Sequence, residues 1–227
     1  PLMLVLVRDP ARRRRLARRG VQRGFALQVA IMRRLGVLTV SVSGAARLQR
    51  EGLLVLANHP TLIDVVLLVA LLPDADCVVK RAVARNPFMR ATVRAAGYIV
   101  NDDGPALVEA GIATVCGGGC LVIFPEGTRV PFGKIGKFSR GGTALAVNAN
   151  LPVLPIAHNA GKYWPKEGWG KRAGTIEVVI GEPMYAEGTG PRAIAALNDR
   201  AAAWNEQTQR DLGSLPAHAP DDAQPVA

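Results

Sequence analysis

The sequence predicts an α/β fold, a central mostly parallel or mixed sheet covered by helices, with a basic amphipathic helix in front of it. Three observations predict it. Short all-apolar or β-branched runs alternate with helix-length amphipathic stretches along the chain, the pattern of strands buried on both faces by their own crossover helices. A length of 227 residues suits one mixed domain and leaves little room for two. Hydrophobic residues at 49% and charged residues at 20% exclude disordered, collagen-like and disulfide-scaffold classes.

The elements follow in order. From Gly20 to Leu35, Val21, Phe25, Leu27, Val29, Ile31, Met32 and Leu35 recur at helical spacing with Arg23, Arg33 and Arg34 between them, which predicts the amphipathic helix. Val37 to Val42 interleaves β-branched residues with serines and reads as a strand ended by Gly44. Leu53 to Ala57 is a buried strand, and Thr61 is placed to cap an apolar helix that stops near Pro73. Cys77 to Val79, Gly97 to Val100 and Cys120 to Phe124 are further strands, separated by helices at Pro87 to Ala95 and Gly104 to Val115. A Gly-, Pro- and base-rich loop leads to a helix at Thr143 to Asn148, strands at Val153 to Ala157 and Thr175 to Ile180, and a surface helix at Arg192 to Leu212. These elements divide the chain into a basic, membrane-associating segment with the amphipathic helix (1–36), an α/β domain (37–213) and a loose tail (214–227).

Charge is distributed unevenly. Residues 1–50 hold 12 arginines against one acid, Asp9, for a net +11, while the 16 basic and 17 acidic side chains of residues 51–227 leave −1. The body of the domain therefore reads as nearly neutral and the basicity as terminal. The first seven residues are apolar and precede seven arginines between Arg8 and Arg19, as where a membrane-inserted segment meets a cytoplasmic flank; a trimmed terminus has the same appearance. No apolar run reaches the roughly 18 to 20 residues that cross a bilayer. Cys77, Cys116 and Cys120 form no CxxC pair, which argues against a disulfide framework and for a reducing compartment.

Two clusters carry chemistry. His59 stands where a buried strand hands over to a helix, and Asp64 follows about one turn into that helix. A carboxylate on one imidazole nitrogen fixes the tautomer and leaves the other nitrogen to take a proton from a hydroxyl. The same spacing also describes a helix-capping His beside an unrelated Asp. The second cluster, Phe124-Pro125-Glu126-Gly127-Thr128-Arg129, bends away from a strand end, where α/β proteins hold ligands. Arg129 offers an anion-binding fork, Thr128 a hydroxyl, Glu126 a carboxylate and Gly127 exposed amides, although Glu126 and Arg129 could equally pair with each other. Ser139 sits in no Gly-x-Ser-x-Gly elbow, and His59, His158, His218 and the cysteines show no zinc spacing, so no metal is expected.

Taken in order, Asn58-His59-Pro60-Thr61-Leu62-Ile63-Asp64, then FPEGTR at 124–129, then Val153-Leu154-Pro155-Ile156, resemble the glycerolipid acyltransferase family from about Ala57 to Ala157. The resemblance implies a lysophospholipid acyltransferase that moves a fatty acyl group from acyl-CoA or acyl carrier protein to a free hydroxyl, foremost that of 1-acylglycerol-3-phosphate. It implies His59 as the base, Asp64 as its support, and Glu126 and Arg129 as holding the acceptor's phosphate, with Gly127 and Thr128 shaping the loop. No bound cofactor is expected; the partners are membrane lipids and the acyl carrier, not nucleic acid. The implied location is the cytoplasmic face of a membrane, peripheral or anchored upstream of residue 1. One departure bears on the acceptor: Gly97 to Asp103 lacks the Arg that the family's second block carries. Asn58, Lys80, Lys137 and Arg140, with Arg81 nearby, are the supporting candidates, each also readable as an ordinary polar or surface residue. The alternatives are a different lyso-lipid acceptor such as a lyso-aminolipid, a thioester hydrolase using the same His–Asp pair on water, and a basic membrane- or nucleic-acid-binding module.

Overall fold

The computed structural model describes residues 7–101, 104–167 and 170–216. The apolar run at 1–6, Asp102, Asp103, His218 and the tail beyond Pro216 lie outside the described residues. Helix α1 (Pro10–Arg34) leads into strand β1 (Leu38–Ser43), and β2 (Leu53–Ala57) into α2 (Ile63–Leu71). Next come β3 (Ala75–Lys80), α3 (Arg81–Arg85), α4 (Arg90–Ala96), β4 (Ile99–Asn101), α5 (Gly104–Cys116) and β5 (Cys120–Ile123). The chain continues through α6 (Gly141–Asn148), β6 (Val153–His158), α7 (Ala160–Tyr163), β7 (Gly174–Ile180) and α8 (Gly190–Asp211).

The strands form one sheet in the order β1-β7-β6-β2-β5-β3-β4. Strands β6, β2, β5, β3 and β4 are mutually parallel; β7 runs antiparallel to β6, and β1 lies parallel to β7 at the edge. The sheet is thus mixed, with its five parallel strands ending at one edge. Strands β2, β5 and β6 are buried on both sides because their alternate residues enter two different cores. Leu53, Val55, Ala57, Cys77, Val122 and Ile156 face α1 and α2. Leu54, Leu56, Leu121 and Val153 face α6 and α8, where Leu145, Ala146, Leu197 and Ala201 cover them.

Several boundaries differ from the sequence expectation for physical reasons. Helix α1 begins at Pro10, not near residue 20: Asp9 caps it, its carboxylate accepting from the N–H groups of Ala11 (3.0 Å) and Arg12 (3.3 Å). Arginine is a good helix former, so the run lacking apolar periodicity is still helical. Its nine arginines are not all surface cations. Arg18 is buried, its Nε donating to Ala96 O (2.8 Å) and its Nη2 to Asp76 Oδ2 (2.5 Å). The helix expected from Pro87 starts only at Arg90, after a separate short helix, α3, and a link in which Asn86 Oδ1 accepts the N–H of Phe88. Helix α8, read as a surface helix, buries Leu197, Asn198, Ala201 and Asn205 along one face.

Helix α1 packs along α2 and α4 and reaches from one edge of the sheet to the other. Its N-terminal half meets the edge where β4 and β5 begin: Arg15 donates to Gly117 O and Arg18 to Ala96 O. Its C-terminal end feeds β1, which runs opposite to β6 and therefore starts at the edge where the central strands end. Twenty-five residues span about 37 Å at 1.5 Å each. The arginine cluster and the exposed Leu27, Ile31 and Leu35 thus lie toward opposite ends of the molecule. No described helix is long and apolar enough to cross a membrane.

Candidate active site

The edge where the parallel strands end collects the chemistry-bearing residues. Strand β2 lies between β6 and β5, so the loops that follow these three strands are immediate neighbours. His59 follows β2 by two residues. Its Nδ1 stands 3.0 Å from Asp64 Oδ2, and the imidazole stacks on the Phe124 ring, with centroids 4.2 Å apart and planes inclined by 25°. Asp64 is wholly buried, and other donors besides the imidazole hold it in place: Oδ2 accepts the N–H of Thr61 (3.0 Å) and Oδ1 that of Val65 (2.6 Å). A carboxylate so fixed is an acceptor only, so Nδ1 carries the proton and Nε2 presents its lone pair. The His59 side chain keeps 16% exposure, enough to meet a substrate from one side.

Asp64, not Thr61, dominates the start of α2. Thr61 Oγ1 receives only a long contact from Ile63 N, at 3.4 Å, whereas the carboxylate takes two backbone donors and the imidazole.

The FPEGTR segment approaches His59 with its main chain and with one inward side chain. Glu126 Oε2 accepts the His59 N–H at 2.7 Å, and Val130 N–H donates to His59 O at 2.9 Å. Burial, reinforced by the nearby Asp64 charge, pushes the Glu126 carboxyl up to about 7 even though the His59 N–H favours its charged form. Gly127 closes a turn, its N–H donating to Phe124 O (3.0 Å), with φ +66° that a side chain rarely adopts. Gly127 and Thr128 are exposed and Arg129 is half-buried. Glu126 and Arg129 do not pair with each other; among the described residues Arg129 has no hydrogen-bond or ion-pair partner.

Asn58 and His158 join the ends of β2 and β6. Asn58 Nδ2 donates to His158 O, His158 N–H donates to Asn58 Oδ1, both at 3.0 Å, and His158 Nε2 donates to Asn58 O at 2.9 Å. Burial pushes the His158 pKa down, so the ring stays neutral and acts as a structural clasp. Asn58 is buried in this clasp. Lys80, Lys137 and Arg140 are exposed on the same edge and, among the described residues, make no hydrogen bond to His59, Asp64 or Glu126. Ser139 N–H donates to Pro125 O (2.8 Å), which brings the end of the loop back beside its start.

The sequence reading missed Phe124 as the imidazole's platform, although it opens the FPEGTR motif, and missed the Asn58–His158 clasp. It also missed the exposed apolar side chains Leu62, Phe88, Phe132 and Ile135 at this edge, where Leu35 of the predicted amphipathic helix also lies. The described cysteines are free thiols, and burial pushes Cys77 up to about 12 and Cys120 higher, so neither is a ready nucleophile. Among the described residues no group of three or more His, Cys, Asp or Glu is placed to hold a metal ion.

The family model described as Acyltransferase matches residues 39–159. A 1-acyl-sn-glycerol-3-phosphate acyltransferase of Pseudomonas aeruginosa is 41% identical over 201 residues, covering 86% of this chain and 78% of that protein. Human 1-acyl-sn-glycerol-3-phosphate acyltransferase alpha is 35% identical over 79 residues, 34% of this chain and 28% of that one. The crystal structure of the 1-acyl-sn-glycerophosphate acyltransferase PlsC from Thermotoga maritima superposes with a TM-score of 0.71, covering 96% of this chain and 88% of that chain. At 21% identity this last likeness speaks for the fold.

Proposed function

The chain belongs to the acyltransferase family, and from that premise we propose that it moves a fatty acyl group from a thioester to the free hydroxyl of 1-acylglycerol-3-phosphate, giving phosphatidate. The thioester is carried by coenzyme A or by acyl carrier protein. The observation that carries the reading is the His59–Asp64 pair: one imidazole nitrogen is committed to a buried carboxylate at 3.0 Å and the other is left for the acceptor. The similarity to 1-acyl-sn-glycerol-3-phosphate acyltransferases supports the acceptor.

The reaction proceeds in two transfers. Nε2 of His59 takes the hydroxyl proton as the acceptor oxygen bonds to the thioester carbonyl carbon, and Asp64 stabilises the imidazolium that forms. The carbonyl oxygen becomes an oxyanion. The Gly127 N–H is spent on Phe124 O, so the donors left to meet that charge are the amides of Thr128 and Arg129, which make no backbone hydrogen bond among the described residues. The carbon–sulfur bond then breaks, the proton passes from imidazolium to thiolate, and ester and thiol leave. Arg129 supplies the cation for the acceptor's phosphate.

Such an acceptor lives in a bilayer, and the site edge suits one. Leu35, Leu62, Phe88, Phe132 and Ile135 are exposed there, interspersed with Arg33, Arg34, Lys134, Lys137 and Arg140. Apolar side chains among cations fit docking to an anionic leaflet with the site facing the lipid. The missing Arg in the Gly97–Asp103 block favours one second reading, an acceptor with a different headgroup.

The test is an acceptor panel of lysophosphatidate, other lysophospholipids and lyso-aminolipids, each with acyl-CoA and acyl carrier protein donors, read by mass. We expect phosphatidate only when lysophosphatidate is supplied, and loss of at least 10²-fold in turnover in folded His59→Ala. Free fatty acid formed at the same rate without acceptor would mean a hydrolase, and a folded His59→Ala protein keeping more than about a tenth of its turnover would remove His59 as the base.

A further inference from the structure

We infer that Glu126 is a positioning residue for the base: it fixes the main chain of His59 so that Nε2 meets the acceptor hydroxyl, and it does not hold the acceptor's phosphate. This rests on the reading of His59 as the base. Four observations point the same way. Glu126 Oε2 accepts the His59 N–H at 2.7 Å, so one carboxylate oxygen is already spent inside the protein. Val130 N–H takes the carbonyl of the same residue at 2.9 Å, so both polar groups of His59's main chain are held by this one loop. Phe124, two residues before Glu126, supports the imidazole from beneath at 4.2 Å. The loop folds back over the carboxylate's stem: a Cβ on Gly136 would stand 2.8 Å from Glu126 Cγ and 3.1 Å from Cδ, so this glycine leaves room for the inward side chain.

Chemistry agrees with the placement. Glu126 has no positive charge to offer a phosphate, and in its ionised form it would repel one at short range in a partly desolvated site. The neighbouring Arg129 has the opposite charge and, among the described residues, no partner. The loop thus divides its work, with Phe124, Glu126 and Val130 turned toward His59 and Gly127, Thr128 and Arg129 left for substrate. A general base works only within hydrogen-bond reach of its proton, and displacement by about 1 Å can cost 10²-fold in rate.

The experiment compares Glu126→Ala, Glu126→Asp and Glu126→Gln with the parent and with His59→Ala, using lysophosphatidate and an acyl-CoA donor. Folding is checked by circular dichroism, and the His59 ring is followed by nitrogen-15 NMR in the absence of substrate. Alanine and the one-carbon-shorter aspartate should lower kcat about 30-fold or more, leave the acceptor KM within about threefold, and shift the His59 ring signals. Glutamine, whose carbonyl can accept the same N–H, should stay within about fivefold of the parent in kcat with the ring signals in place. A tenfold rise in acceptor KM with kcat unchanged would return Glu126 to the phosphate site and overturn the inference. So would an unchanged kcat in folded Glu126→Ala, or a glutamine variant as slow as aspartate. If the alanine variant does not fold, aspartate and glutamine decide. Turnover surviving in His59→Ala would instead defeat the base assignment, while the NMR arm would still report whether Glu126 holds that ring.

Discussion

Replacing Arg18 should test whether α1 belongs to the folded domain or merely precedes it. Its guanidinium is 9% exposed and Asp76 1%. Arg18 Nη2 lies 2.5 Å from Asp76 Oδ2, which also accepts from Thr114 Oγ1 at 2.9 Å, while Oδ1 takes the N–H of Cys77 at 2.9 Å. Arg18→Met removes the cation, leaves the buried carboxylate uncompensated, and strips the Ala96 carbonyl of its donor. Breaking a buried pair from one side costs about 3–5 kcal/mol. Two bonds to Asp76 survive, and its pKa is already raised because burial outweighs the pull of Arg18, so the carboxyl has a route to neutrality. The lower end, about 3 kcal/mol at pH 7, is therefore expected. The sign with pH follows: without Arg18 the folded protein binds the Asp76 proton more tightly than the unfolded chain does, so the deficit should shrink as pH falls. Urea unfolding of the parent, Arg18→Met, Asp76→Leu and the double variant gives the coupling energy. The apolar double replacement should recover most of the loss, because an intact buried ion pair contributes little beyond what packing can. A cost below 1 kcal/mol for Arg18→Met, with no recovery in the double variant, would refute the reasoning and make α1 a detachable segment.

Arg129→Ala should raise the acceptor KM at least tenfold and the donor KM little, with Arg129→Lys rescuing only in part because an ammonium lacks the planar fork; steady-state kinetics with each substrate varied in turn checks it, and equal effects on both would move Arg129 out of the acceptor site. Leu27, Ile31 and Leu35 are 62%, 49% and 71% exposed, and burying each in lipid is worth roughly 1 kcal/mol, so changing all three to serine should weaken binding to anionic vesicles up to a hundredfold. Replacing the exposed Arg12, Arg13 and Arg19 with glutamine should weaken it less, and the opposite ranking in a sedimentation assay would place the lipid at the other end of α1. For Glu126 the folded pKa of about 7 exceeds the unfolded 4.5, so the folded state holds the proton more tightly and stability should fall as pH rises from about 4.5 to 7, then level off. The difference is on the order of 3 kcal/mol and should be absent in Glu126→Gln when unfolding free energies at pH 5 and pH 8 are compared.

The parts of the fold legible in the sequence are those whose pattern is local. Strand β2 falls at Leu53–Ala57 as expected because a central strand covered on both faces is apolar throughout. The His59–Asp64 contact was legible because five residues of chain around a helix start leave few ways to place it. What escaped is what depends on distant partners. Arg18 reads as one more surface cation until Asp76, 58 positions away, is seen beside it. Alternating strands and helices foretell parallel pairing, yet nothing local tells β1 to pair with β7 at the edge in the reverse direction. Near-neutral charge after residue 50 concealed a segregation in space: Lys80 ends β3, and Lys134, Lys137 and Arg140 follow β5, so these exposed cations share the edge where the parallel strands end. Glu126 was read from its motif as a ligand to substrate, and only the register of β2 and β5 reveals where its carboxylate is turned.

That register explains why the two motifs meet at all. Strands β2 and β5 pair Leu53 with Cys120 and Leu56 with Ile123, a constant offset of 67 residues. The hydrogen bond from His59 to Glu126 also spans 67 positions, so it lies on the continuation of the ladder three residues past its last pair. On the other side, β2 and β6 pair Leu54 with Val153 and Ala57 with Ile156, and the Asn58–His158 clasp lies just beyond that ladder's end. His59 therefore sits between two neighbouring strands whose outgoing chains each reach back to β2's end, one with a carboxylate and one with a backbone carbonyl and an imidazole. Neighbouring strands are about 4.8 Å apart, so a side chain of glutamate length spans the gap and a shorter one falls short. A one-residue slip would turn every side chain to the opposite face and take Glu126 from His59. The motifs are thus tied to the strands by counting, His59 three residues past Leu56 and Glu126 three past Ile123, and the connection between them, which itself carries Asp64, β3 and β4, returns the chain to β5 in that register.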